Sequence, residues 1–248
     1  MKETSLQEKK KNRIKPVILV LGILLLLSGV ILGYLFTGQY QAGAVAKEAM
    51  NSKDILIEKK DGYYVFDGEG TEKALIFYGG AKVEEISYSP LLVQLAKDGI
   101  DCFLIDMPFQ IAFFKTNAYQ SILRDYAYDS WYLGGHSLGG VVAAMALKDE
   151  SVSFDGILFL ASYSTETVPV DCKVLSFYGS NDQVLNIEAM EEGNRNLPSD
   201  AMVLCIPGGN HAQFGDYGFQ KGDGEATISA ENQISYVIEN CKNVFLQE

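Results

Sequence analysis

One short stretch carries most of the chemistry this chain could do: Gly135-His136-Ser137-Leu138-Gly139-Gly140. A serine between small residues, entered from an apolar run (Ser130–Leu133) and left through another (Leu138–Lys148), reads as a sharp strand-to-helix turn that exposes Oγ. Only glycines on either side tolerate the crowding of such a turn. A serine hydroxyl becomes a nucleophile only when a base takes its proton. The chain has two histidines. His136 adjoins the serine and should leave the backbone in another direction. His211, in Gly208-Gly209-Asn210-His211 just after the apolar run Met202–Ile206, is placed to serve as base. Asp182, in Gly179-Ser180-Asn181-Asp182 after the run Lys173–Tyr178, is the carboxylate expected to fix the imidazole tautomer. Asp106 and Asp216 are its competitors. The order Ser, Asp, His along the chain fits acyl transfer by a nucleophilic serine.

Such a reaction also needs donors for the oxyanion. The Leu138 N–H, at the start of a helix, is one. The other is expected from Tyr78-Gly79-Gly80-Ala81, with Gly80 favoured, Ala81 second, and Gly79 letting the backbone approach a substrate oxygen.

These residues need a scaffold that brings distant loops to one edge. Continuous apolar runs at Ala74–Tyr78, Asp101–Asp106, Ser130–Leu133, Gly156–Ala161, Lys173–Tyr178 and Met202–Ile206 read as strands buried on both faces. Helical patterns alternate with them at Ser89–Lys97, near Tyr119–Tyr126, and at Leu138–Lys148, Ile187–Asn196 and Ala230–Asn243, the last with Ser229 as N-cap. Two further strands, Asp54–Lys60 and Tyr63–Phe66, flank an Asp61-Gly62 hairpin turn. The expected class is α/β, a mainly parallel sheet with helices on both faces. Only Ser162–Cys172 separates the fourth and fifth of the buried strands, too little for a lid domain, so the site should be open. The stretch Met107–Phe114 either packs under the next helix, the favoured reading, or lines an acyl pocket.

Residues 17–36, VILVLGILLLLSGVILGYLF, form an uncharged apolar run. Twenty helical residues span about 30 Å, a bilayer's hydrocarbon thickness. Residues 1–16 carry six basic and two acidic side chains, a cytoplasmic signature. The division expected is a basic cytoplasmic tail (1–16), a transmembrane helix (17–36), a stalk (37–53) and an extracellular catalytic domain (54–248). Cleavage after Ala44-Val45-Ala46 is the rival reading. The net charge is −12; with +4 in residues 1–16, the remainder carries −16. So acidic a domain repels phosphate backbones, which argues against nucleic acid as a partner. The four cysteines, Cys102, Cys172, Cys205 and Cys241, show no C-x-x-C spacing. Disulfides are permitted outside the cell, yet three of the four lie in apolar contexts that suit buried free thiols. Asp216, Asp223 and Glu225 lack calcium-loop spacing. No metal or cofactor is expected, and the run 210–229 reads as a structured loop holding His211.

GGHSLGG, YGSND and GGNHAQFGDYG together resemble a bacterial group of α/β-hydrolases that often carries an N-terminal membrane segment. FYGGAKV, SYSPLLVQLAKDGI and GDGEATIS extend the resemblance over residues 55–245. It implies the α/β-hydrolase fold and the triad Ser137, Asp182 and His211 but leaves the substrate open; the triad chemistry itself points to an ester, thioester or amide. Many of these relatives have proline where this chain has Gly79. A non-catalytic binding module of the same fold, or a scaffold on a membrane tether, is the alternative, although neither needs all three triad positions filled.

Overall fold

The computed structural model describes residues 22, 23, 25–30, 33 and 37–247. The described residues up to Gln39 and those from Tyr40 onward fall into two separate units. Most of the expected span at 17–36 lies outside the described residues; those of it that are described are helical. Among the described residues no helix is long and apolar enough to cross a membrane.

The second unit is built on one eight-stranded sheet in the order β1-β2-β4-β3-β5-β6-β7-β8. Its strands are β1 (Leu56–Lys60), β2 (Tyr63–Asp67), β3 (Lys73–Tyr78), β4 (Asp101–Ile105), β5 (Ser130–His136), β6 (Gly156–Leu160), β7 (Lys173–Gly179) and β8 (Met202–Ile206). β1 and β2 form an antiparallel hairpin whose turn includes Gly62, at φ 89°. β2 also runs antiparallel to β4, and all remaining pairs are parallel. β3 to β7 are apolar and buried over most of their length because both faces are covered, whereas β8 at the sheet edge is only partly buried. Along β3, Leu75 and Phe77 enter the core under α2 (Ser89–Lys97) and α6 (Ala230–Phe245). Ala74, Ile76 and Tyr78 enter the opposite core under α3 (Tyr119–Asp125) and α4 (Leu138–Met145).

Local signals set the helix ends. Pro90 opens α2, where a missing N–H costs nothing, and Gly99 at φ 100° follows its C-terminus. Ser229 Oγ accepts the Asn232 N–H at 3.1 Å and caps α6. α5 (Ile187–Gly193) is capped likewise by Asn186. The helices expected at 138–148 and 187–196 tighten into 3₁₀ turns over their last three residues.

The segment expected as stalk is built into the domain from Tyr40 onward. Tyr40 bridges to Val83, and its N–H donates to the Lys82 carbonyl at 2.7 Å. A six-residue helix, α1 (Ala44–Ala49), follows. Ala46 is fully buried, and its carbonyl accepts from Ser89 Oγ at 2.7 Å. The domain therefore begins near residue 40, not 54. Six residues with no apolar stripe give no helical signal; tertiary contacts make the helix. All four cysteines are free, with Cys205 exposed and the others buried.

Candidate active site

The topology puts the candidate residues on one edge. β3, β5, β7 and β8 run parallel, so the loops leaving their C-terminal ends emerge together. The strand order reverses between β3 and β5, the crevice where ligands bind in such sheets. Tyr78 and Gly135 are register partners there, which sets the Gly79-Gly80-Ala81 loop beside the serine turn. Gly179 and Ile206 are partners at the other end, which sets the Asp182 and His211 loops side by side.

Ser137 has φ 53° and ψ −124°, a conformation costly for any residue with a Cβ. Its surroundings over-determine that geometry. The Ser137 N–H donates to the Leu160 carbonyl at 2.9 Å, and its own carbonyl accepts from Ser162 Oγ at 2.7 Å. A Cβ on Gly139 would strike the carbonyls of Tyr78 and Gly79, and one on Gly140 would strike the Ser162 side chain. The glycines let α4 start hard against the sheet, and the first-turn N–H groups of Leu138 and Gly139 have no intrahelical acceptor. Ser162 is a positioning residue that the sequence pattern did not reveal.

His211 Nδ1 lies 2.8 Å from Asp182 Oδ2. The two side chains are 1% and 0% exposed. Asp182 Oδ1 accepts the N–H groups of Val184 and Leu185, both at 2.8 Å. The carboxylate is thus fixed as an acceptor, so Nδ1 carries a hydrogen and Nε2 is the ring atom turned toward the reaction. Nε2 is buried without a hydrogen-bond partner. The competing acids are otherwise engaged. Asp106 pairs with Lys59 at 3.0 Å. Asp216 accepts the Ala46 N–H at 2.7 Å and so caps α1.

A polar brace holds the His211 loop. Gln233 of α6 accepts the Asn210 N–H at 3.1 Å and donates to the Asn210 carbonyl at 2.9 Å. Buried Asp223 accepts from Ala212 N–H at 2.9 Å and Gly224 N–H at 2.8 Å, joining both ends of the loop. Neither Gln233 nor Asp223 stands out in the sequence, because isolated polar residues carry no periodic signal.

Two expectations are corrected. The Gly80 N–H, favoured as oxyanion donor, is committed to Tyr88 Oη at 2.8 Å. The Ala81 N–H meets no acceptor among the described residues. His136 does not stand apart from the base: its ring lies 4.6 Å from the His211 ring, centroid to centroid. It is fully buried, and its Nδ1 is 2.8 Å from Tyr88 Oη. Burial, and next the adjacent His211, hold its pKa well below the usual imidazole value, so His136 is neutral. Tyr88 thereby links the Gly80 loop to the histidine pair. Its signal lay only in a buried aromatic just before α2.

The edge is open. The connection from β6 to β7 contains no helix or strand. In the Met107–Phe114 stretch, Met107 and Ala112 are buried whereas Phe113 and Phe114 are exposed, so it neither packs wholly under α3 nor encloses a pocket. A cavity of about 780 Å³ lies elsewhere, between α2 and α6, and none of Ser137, Asp182 or His211 lines it. No group of His, Cys, Asp and Glu suited to a metal ion occurs among the described residues.

Known proteins bear on this arrangement at the level of fold and family. Carboxyl esterase 2 from the mycorrhizal fungus Tuber melanosporum superposes with a TM-score of 0.61 at 12% identity, covering 84% of this chain and 91% of that one. Paleococcus ferrophilus monoacylglycerol lipase gives 0.56 at 13% identity, covering 75% and 98%. Est1E from Butyrivibrio proteoclasticus gives 0.55 at 14% identity, covering 79% and 100%. No curated protein shows a significant sequence match. The alpha/beta hydrolase family matches residues 74–235, from β3 into α6 and through every loop just described. The chain belongs to the alpha/beta hydrolase family.

Proposed function

We propose that this hydrolase cleaves carboxylic esters by acyl transfer to Ser137, with His211 as base and Asp182 as its orienting acid. The observation that carries the reading is the buried His211–Asp182 pair, its Nε2 unpartnered, on the edge where Ser137 is held in a strained turn. Nε2 takes the Ser137 proton as Oγ bonds to the ester carbonyl carbon. The oxygen, now anionic, is held by the N–H groups of Leu138 and Ala81, since Tyr88 occupies Gly80. Collapse of the tetrahedral species breaks the ester C–O bond, and the imidazolium returns its proton to the departing alcohol. Water, deprotonated by His211, then releases the acid and frees Ser137. Each oxyanion donor contributes about 10²- to 10³-fold in such sites. Esters are favoured over amides because an alkoxide leaves a tetrahedral intermediate more readily than an amine, and the structural neighbours named above include an esterase and a lipase.

A fluorophosphonate probe tests this against a binding module of the same fold. Mass spectrometry should place one adduct on the peptide containing Ser137. An unmodified protein, or an adduct on another serine, overturns the reading. A series of short-chain, long-chain and aromatic acyl esters then ranks the acyl group.

We further propose that residues 17–36 anchor the protein and that the domain lies outside the cytoplasm. The uncharged run and the basic cluster before it support this. Protease added to intact cells should remove the domain and leave the tail; a protected domain refutes the topology.

A further inference from the structure

The place where the chain enters the domain is unusual in its consequence. Tyr40 is fixed by backbone contacts to Lys82 and Val83, the residues directly after the Gly79-Gly80-Ala81 loop. Its hydroxyl also accepts the Lys221 N–H at 3.1 Å, and its ring lies 5.6 Å from that of Tyr217. The entry point is therefore on the same edge as Ser137 and His211, among the loops after β3 and β8. Only Thr37, Gly38 and Gln39 separate Tyr40 from Phe36, the last residue of the apolar run. Four peptide steps at full extension cover roughly 14 Å. A run that ends in a bilayer at Phe36 cannot let this edge move farther than that from the bilayer surface.

The same edge carries exposed aromatic side chains. Phe113 and Phe114 follow β4 and are 51% and 56% exposed; Phe219 follows β8 and is 62% exposed. Phe114 also contacts Phe109 edge-on at 6.0 Å. Lys115 follows Phe114 directly, and Lys221 lies two residues past Phe219. Of the acids at this edge, Asp106 pairs with Lys59, Asp182 with His211, and Glu84, Asp216 and Asp223 accept backbone N–H groups, while Asp61 in the adjoining hairpin turn and Glu225 are exposed. Apolar rings with lysines at their margin suit a lipid headgroup boundary.

We infer that the catalytic edge is held against the surface of the membrane that anchors the chain, with Phe113, Phe114 and Phe219 in contact with lipid, and that the substrates are amphiphilic esters resident at that surface. This rests on the readings of Ser137 as nucleophile and of residues 17–36 as anchor. An ester whose acyl chain stays in the bilayer presents only its carbonyl region to the site. An open edge is sufficient for such a substrate.

The test uses the full chain reconstituted in phosphatidylcholine vesicles. The protein has a single tryptophan, Trp131, and it is 9% exposed. F114W, and separately F219W, adds a reporter on the edge. Brominated phosphatidylcholine should quench the added emission in each, while the unsubstituted protein stays largely unquenched. The triple variant Phe113→Ser, Phe114→Ser, Phe219→Ser should turn over a long-chain monoacylglycerol in the vesicles about 10-fold more slowly. Its activity on a water-soluble short-chain ester should stay within about twofold. No quenching in either reporter, or equal loss on both esters, overturns the inference. Quenching does not depend on turnover. Full quenching with no hydrolysis of either ester keeps the membrane-facing edge and refutes the proposed esterase instead.

Discussion

Ser137→Ala and His211→Ala are each expected to lower turnover of a short acyl ester by roughly 10⁴- to 10⁶-fold, with the double variant losing little more than either single one. The non-additivity is the informative part. Oγ without a base is a poor nucleophile, and a base without Oγ has no proton to accept, so either loss disables the whole unit. Stability should change little for Ser137→Ala, which opens no large cavity. It should even relieve nothing at the backbone, since alanine at φ 53° is as strained as serine. His211→Ala empties space beside His136, so its thermal midpoint should be read with its rate. The check is kcat on purified variants with matched circular dichroism spectra. Activity that survives Ser137→Ala refutes the nucleophile. Activity that survives His211→Ala while His136→Asn is dead would move the base to the neighbouring ring.

Asp182→Asn should cost on the order of 10⁴ in turnover, the loss known for this exchange in serine proteases. The structure supplies the reason. Oδ1 of Asp182 is held by two backbone N–H groups, from Val184 and Leu185. An asparagine will keep its carbonyl oxygen there, because its amide group cannot accept from them. The NH₂ then faces His211 Nδ1 as a donor. The imidazole answers by placing its own hydrogen on Nε2, the atom that must accept the serine proton. The fold survives, and fluorophosphonate labelling should slow in parallel with turnover. Asp106→Asn and Asp216→Asn should stay near the parent rate, since one loses only a surface ion pair and the other keeps a side-chain oxygen that can accept the Ala46 N–H. If either of those variants collapses while Asp182→Asn does not, the acid is misassigned.

The parts of this fold that could be read from the sequence are those written in local pattern. Apolar runs of strand length gave β3, β4, β6, β7 and β8 to within a residue at each end, whereas β5 continues three residues past the expected Leu133, through two glycines to His136. Glycines around Ser137 gave the turn, because the backbone there leaves no room for a Cβ. What escaped was set by side-chain direction and tertiary contact. α1 is too short and too small-sided to announce itself, and it forms because Ser89, Asp216 and the core receive it. Gly80 looked like the free amide; only the placement of Tyr88, eight residues on, shows that it is taken. The direction of the His136 ring depends on rotamer and packing, which adjacency in sequence does not encode.

The brace on Asn210 has a consequence in time. Gln233 sits in the first turns of α6, the last element of the chain, and it is what grips the backbone one residue before His211. On a ribosome, Ser137, Asp182 and His211 are all polymerised before Gln233 exists. The nascent chain thus holds every reactive group while lacking the clasp that aligns them. Under the proposed mechanism, the alignment of His211 therefore waits on a helix that is made after all three of those residues.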